Sequence, residues 1–377
     1  MSVKICYPNY LDSERYTALT ASSASASYPV TNLEGTSRRS KVWQSAGYFV
    51  VTSANKVIRF RDASGGADKD ATIAEGAYTS IAALITAIDT AMEAAGAANY
   101  TITHTTAKKF KFESDLSGGA THFELRCADA AFTARDILGF AATNLTGAAN
   151  YTADSVRCHT EEFITVDLGS AFNPKAFALF GPRNEPLRIS QTATIKLQGN
   201  ATDTWSAPAY DATLTWNEFA IWKFGATGIH SSALRFWRVS IVDRDNARGY
   251  IEISSLLLGD VLDITTGCPQ FPLEVTEVDL TQSERAISGG NFSSVYGKTS
   301  ELSLDWKFLT KTEMEAIRDM FAELGTGFPF VVALDPNEAY STDLERWVLL
   351  VKFNDAPAFA LDRPNQFSTE WLLVEEV

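Results

Sequence analysis

The chain has 377 residues, of which 45% are hydrophobic and 11% aromatic, and a formal net charge of −14. That length exceeds one ordinary core and leads us to expect two or three domains, and the composition excludes bulk disorder. The charge argues against sequence-independent nucleic-acid binding, which rests on Lys and Arg neutralising phosphates, and against adsorption to anionic membranes.

Val3 to Tyr7 reads as a strand. No apolar stretch of signal-peptide type follows Lys4, and nothing approaches eighteen consecutive apolar residues, so neither a leader nor a membrane span is expected. Cys6, Cys127, Cys158 and Cys268 are far apart and form no CxxC, which predicts reduced, buried thiols and synthesis in a reducing cytoplasm. Thr20 to Ser27 is a run of small residues, read as an extended lead-in: an arm lying on a neighbour, or a solvated loop.

From Gly47 to about Thr160 the composition shifts to Ala, Gly, Thr and Ser. Val57 to Asp62 predicts a strand and Ser64-Gly65-Gly66 a turn. Ser80 is an N-cap candidate for a helix whose apolar stripe is Ile81, Leu84, Ile85, Ile88 and Met92, with Gly96 as its stop. Tyr100 to Thr103 and Lys109 to Glu113 alternate as a hairpin; His122 to Cys127 adds a strand, and Ile137 to Phe140 a short apolar segment. Residues 47–160 are therefore expected to be a small α+β module inserted in a loop of its host.

Glu162 to Gly169 alternates with period two, with Ile164, Val166 and Leu168 on one face, and predicts a strand inside an all-β domain. Ile195 to Asn200, Leu234 to Ile241 and Tyr250 to Leu256 follow the same rule, and Trp205, Trp216 and Trp222 mark the crossings between them. Thr266 to Pro272 reads as a linker. Beyond it, Glu274 to Leu280 and Ser300 to Phe308 predict strands. Thr310 to Glu313 is a capping box opening a helix that carries Ile317, Phe321 and Leu324 inward, flanked by Met314 and Met320 and closed by Gly325. Trp347 to Phe353 and Phe367 to Val374 add two more strands, predicting a mostly antiparallel sheet crossed by one helix.

In order, the Asn32-Leu33 loop, Trp43-Gln44-Ser45, the strand ending Val166-Asp167-Leu168-Gly169, Phe236-Trp237-Arg238-Val239 and Ile251-Glu252-Ile253 resemble the discoidin-like (galactose-binding-like) jelly roll. The resemblance covers 28–45 and 162–259 and departs from the family in the long insert. The fold class expected is thus mainly β. A jelly roll (1–46 plus 161–262) is interrupted by the α+β module (47–160). A linker (263–272) then leads to a C-terminal β-rich unit (273–377) with one helix (310–324). A fold of this kind does not by itself carry sugar binding.

Candidate chemistry is sparse. His104, His122, His159 and His230 show no zinc spacing, and Cys158-His159 are adjacent along a strand, where neighbours point to opposite faces. There is no Gly-x-Ser-x-Gly, and the Gly-Gly pairs at 65, 118 and 289 read as turns rather than phosphate loops. Asp62, Asp68 and Asp70 have calcium chemistry but lack the EF-hand's Gly and bidentate Glu, so a solvated acidic loop is the stronger reading. Glu274, Glu277, Asp279 and Glu284 alternate with apolar residues as the wet face of a sheet. Arg235 and Arg238 sit on opposite sides of their strand and make no anion clamp alone. Trp205, Trp216 and Trp222 are either a sugar-stacking platform or core residues, the latter favoured at period-two positions. No catalytic residue, metal site or cofactor site is nominated, and no carboxylate pair at glycosidase separation is visible.

Ile81 to Met92, Tyr100 to Thr103, Phe110-Lys111-Phe112 and Ile137 to Phe140 are similar to a module recurring in phage tail-tip and fibre proteins. Trp306 to Thr310, the capped helix, Gly327 to Phe330 and Leu334-Asp335-Pro336 resemble a unit of phage minor tail proteins. The resemblance implies a virion protein assembled in the bacterial cytoplasm: a distal tail or baseplate ring subunit touching copies of itself, the tail tube and tip or hub proteins. The alternative it leaves open is a host-surface carbohydrate-binding module acting in adsorption.

Overall fold

The computed structural model describes residues 3–11, 15–34, 41–115, 122–182, 186–244, 246–262, 264–270, 274–279, 282–285, 291–294, 298–334 and 348–375. The turn expected at Ser288 to Gly290, the Gly-Gly pair at 118, the Glu284 side chain, Phe271-Pro272, Asp335-Pro336 and Trp347 lie outside the described residues. The fold is mainly β: a jelly-roll sandwich interrupted by an α+β insert, then an antiparallel sheet crossed by one helix.

The sandwich opposes a five-stranded and a three-stranded sheet. The first runs Tyr210–Thr213, Thr194–Asn200, Leu234–Val242, Glu162–Phe172, Ala18–Ala21, and the second Ala220–Phe224, Ala176–Phe180, Ser255–Gly259. All pairings are antiparallel. Alternation sends Ile164, Val166, Leu197, Trp237, Val239 and Ile241 inward from one sheet, and Phe177, Leu179, Leu256 and Leu258 from the other. Each such side chain contributes roughly 1.5–3 kcal/mol on burial. Packing leaves a void of only about 10 Å³ between the sheets, lined by Ile164, Leu197, Trp237 and Leu258 among others and too small for a sugar.

The insert has its own core, built around Phe60, Leu84, Ile88, Met92, Phe110, Phe112 and Leu138. Its first helix, α1 (Ile81–Ala95), starts where the Ser80 side chain accepts the Ala83 N–H. The hairpin Tyr100–His104/Phe110–Ser114 forms with Lys108 at φ 61 in its turn. A second helix, α2 (Arg135–Leu138), ends at Gly139, whose φ of 79 is the left-handed conformation that glycine adopts without strain.

The C-terminal sheet contains a strand from the other end of the chain. Its order is Val3–Cys6, Phe330–Leu334, Val348–Phe353, Gln366–Glu375, Lys298–Leu309, Cys268–Pro269, with Glu274–Asp279 on Lys298–Leu309 and Ala358–Arg363 on Gln366–Glu375. Residues 1–46 were expected in the jelly roll, but Val3–Cys6 pairs with Phe330–Leu334, because Ile5 completes the apolar face under the helix. Within the expected linker, Cys268–Pro269 is likewise a strand of this sheet.

The third helix, α3 (Lys311–Leu324), covers one face of that sheet, burying Ile317 and Met320 against Leu304, Trp306, Trp371 and Leu373. Met320, expected on the flank, is fully buried, whereas Phe321 and Leu324 are only partly so. The helix meets the sheet one position round from the centre of its apolar stripe. The opposite face of the sheet, with Cys6, Val331, Ala333, Val348 and Leu350, packs on Ala176, Ala178, Phe180, Ala220 and Leu257 of the three-stranded sheet. The stack therefore runs five-stranded sheet, three-stranded sheet, C-terminal sheet, α3.

Candidate functional site

The three tryptophans are separated by the fold. Trp216 is half-buried, donates its indole N–H to the Ile189 carbonyl at 3.0 Å and packs on the sandwich core. Trp222 packs against the cluster between the jelly roll and the C-terminal sheet. Trp205 stands in the loop between Thr194–Asn200 and Tyr210–Thr213, donating its N–H to Asp203 Oδ1 at 2.7 Å. One platform for a sugar is not formed from the three, because Trp222 belongs to a strand with a second layer on each side.

Trp205 covers a buried arginine. Arg238 is 8% exposed, and its guanidinium carbon lies 4.8 Å from the Trp205 ring and 4.6 Å from the Phe163 ring. It donates to Gln198 Oε1 at 2.9 Å and to Glu161 Oε1 at 3.0 Å. Burial lowers its pKa from the ordinary value, with Glu161 opposing. Gln198 and Thr165 flank it in register. Arg235 instead forms a two-pronged pair with Asp167, at 2.6 and 2.8 Å, which lowers the carboxyl pKa. The two arginines are thus committed to separate partners.

The acidic candidates of the insert are also engaged. Asp70 pairs with Arg59, Asp68 with Arg61, and Asp62 with Lys69 and the Tyr100 hydroxyl. Hydrogen bonding from Arg61 holds the Asp68 carboxyl below the usual range. Among the described residues, no group of three or more His, Cys, Asp and Glu is placed to hold a metal. Cys6, Cys127 and Cys158 are buried and form no disulfide, and burial pushes the Cys127 thiol up to about 12. Of the acidic strand residues Glu274, Glu277 and Asp279, all are exposed at the rim of the C-terminal sheet.

Two places were not found by motif reading. The first is the edge of the C-terminal sheet at Ala358–Arg363. In register across it, Leu309 is 0% exposed, Phe367 half-buried and Leu361 65% exposed, an apolar row running from the core to the rim. Val275 on Glu274–Asp279 is 50% exposed.

The second place is the seam where the insert joins its host. Glu162, 0% exposed, accepts from the Ser23 hydroxyl at 2.9 and 3.0 Å and from the Ser22 hydroxyl. Burial pushes its carboxyl up to about 7, against the lowering effect of these serines and of the Tyr48 and Gly47 backbone. His159, 1% exposed, accepts the Asp243 N–H on Nε2 at 3.0 Å, while Nδ1 has no partner. Burial, and then Arg244, lower its pKa to about 4. A signal existed for Glu162: it stands two residues before Ile164, in register with the buried face.

No family model matches the chain, and no curated protein matches it. Among solved structures, the lectin domain of lectinolysin complexed with Lewis B antigen is similar at 10% identity, over 28% of this chain and 69% of that one, with a TM-score of 0.22. A Streptococcus pneumoniae fucose-binding module matches at 7% identity over 27% and 68%, with a TM-score of 0.21. The family 32 carbohydrate-binding module of C. perfringens NanJ, in complex with galactose, matches at 12% over 28% and 68%, with a TM-score of 0.19.

Proposed function

We propose that the chain is a structural, non-enzymatic subunit of a bacteriophage tail, a distal tail or baseplate ring component. Its C-terminal sheet would contact further copies and the tail tube, and its jelly roll and insert would face outward. The sequence resemblances of the insert and the C-terminal unit to phage tail proteins supply the setting. The observation carrying the assembly reading is the apolar row Leu309, Phe367, Leu361, which leaves the core and ends 65% exposed at a sheet edge. An edge strand offers backbone donors and acceptors to another chain, and an outward leucine beside it adds apolar area. A ring of identical subunits requires one surface to meet a different one on the next copy. The test is native mass measurement of the purified chain together with protein identification in virions. A defined oligomer and presence in the particle are expected, and a stable monomer absent from virions would overturn the reading.

The second reading, adsorption to a host-surface glycan, is favoured by Trp205. Its indole stands in a polar loop beside Asp203 and Thr204, whereas Trp216 and Trp222 pack on the hydrophobic clusters. Glycan-array binding by the wild type, lost in a folded Trp205→Ala variant, is expected on this reading. Unchanged binding would remove Trp205 from it.

A further inference from the structure

We propose that His159 is an acid-sensitive latch that holds the loop residues Asp243, Arg244 and 246–249, and through them the inserted module, against the jelly roll. The loop is tied to the insert and to the segment leaving it by two hydrogen bonds and one close approach. Arg244 Nη1 donates to Asp136 Oδ2 at 2.6 Å, and Cys158 Sγ donates to the Asn246 carbonyl at 3.6 Å. Gly249, at φ +77, lies so close to the Lys108 stem that an added Cβ would come within 2.7 Å of Lys108 Cδ. Asp136 and Lys108 belong to the insert, in α2 and in the hairpin turn, so any movement of the loop is felt there.

At its start, the loop is fastened by the Asp243 N–H donating to His159 Nε2 at 3.0 Å. Nε2 accepts, so the ring hydrogen is on Nδ1. A second proton can only go to Nε2. The imidazolium would then present N–H towards N–H, with no acceptor for either, inside a site where His159 is 1% exposed. Protonation therefore requires the Asp243 backbone to leave, and the loop with it.

The charged groups on the surrounding elements do not rescue the imidazolium. Arg244 from the loop is itself cationic and opposes it. Both hydrogen bonds to the Asp243 carboxylate, from the Ser190 N–H and the Asn246 side-chain amide at 2.8 Å each, fall on Oδ2, and the carboxylate makes no bond to His159, whose Nδ1 has no partner. On its own segment, Glu161 serves Arg238 and Ser240, and Glu162 serves Ser22 and Ser23. From the insert, Asp136 is taken by Arg244 and Arg157, while Lys108 adds positive charge.

The expected size follows from linkage. A ring titrating near 6.5 when released and near 4 when latched raises the opening equilibrium about thirtyfold between about pH 7.5 and pH 5. Hydrogen–deuterium exchange on the full chain, corrected for the intrinsic pH dependence of exchange, measures it. Protection across Asp243 to Ile251 should fall about thirtyfold over that interval, while Leu302 to Trp306 of the C-terminal sheet keeps its protection. In His159→Gln, whose amide can accept the same N–H without titrating, the pH step should vanish. A wild type with no step, or a Gln variant with the same step, overturns the latch. Should His159→Gln fail to fold, Asp136→Asn takes its place. This variant loosens one tie and should exchange faster at pH 7.5 while keeping the step; a missing step there overturns the proposal equally.

Discussion

Glu162 and His159, three residues apart, carry opposite proton linkages. The carboxyl of Glu162 is raised from 4.5 to about 7 in the fold, so the native state holds its proton more tightly than the unfolded chain. Its contribution is fully present below about pH 4.5 and is lost as pH rises towards 7. The imidazole of His159 is lowered from 6.5 to about 4, so the unfolded chain binds that proton more tightly and stability falls as pH drops from 6.5 towards 4. Each slope is about 1.4 kcal/mol per pH unit at most, and between about pH 4.5 and 6.5 they largely cancel. Denaturant unfolding of the wild type should therefore be nearly flat over that window. His159→Gln should become less stable as pH rises through it, and Glu162→Gln should become more stable. Parallel slopes in the two variants would contradict the assignment. Sequence alternation made half of this legible, since Glu162 shares the face of Ile164, Val166 and Leu168. The histidine's partner came from Asp243, 84 residues away, and local pattern has no means of reporting such a contact.

The elements read most faithfully were those whose signals are local. The capping box of α3 is present as spaced in the sequence: the Thr310 hydroxyl accepts the Glu313 N–H at 3.2 Å, and Glu313 Oε2 accepts the Thr310 N–H at 2.8 Å. The second half of this cap was invisible in the sequence. Glu313 Oε1 also accepts the N–H groups of Thr265 and Thr266, both at 2.7 Å, so one carboxylate closes the helix and fastens the chain segment entering the sheet. Thr310→Ala, which removes an ordinary cap, should cost about 1 kcal/mol. Glu313→Ala leaves several backbone donors without their charged acceptor and should cost roughly 2–4 kcal/mol by urea denaturation. Equal losses for the two would show that the segment 264–267 gains nothing from Glu313. The separation of the three tryptophans was hidden for a related reason. Period two tells which residues share a face, but not which layer covers that face, and Trp222 is covered by a sheet assembled from both ends of the chain.

At the scale of the molecule, the jelly roll and the C-terminal sheet share a core, so they should unfold together. Ala176, Ala178 and Ala220 are each 0% exposed, and their small side chains let the three-stranded sheet approach Val331, Ala333 and Leu350 closely. The N-terminal strand runs through this contact, pairing with Phe330–Leu334, while Asn9 bridges to Gly259 of the jelly roll. A bulky residue at position 178 would have to push two sheets apart. Ala178→Phe should cost about 1–3 kcal/mol and split one calorimetric transition into two as the layers uncouple. Leu361→Asp provides the contrast, because that side chain is 65% exposed and supports no layer. It should leave the melting profile within a degree or so of the wild type while reducing self-association measured by sedimentation. If Leu361→Asp melts early and Ala178→Phe does not, the apolar row at 361 is internal to the fold and its use between copies falls with it.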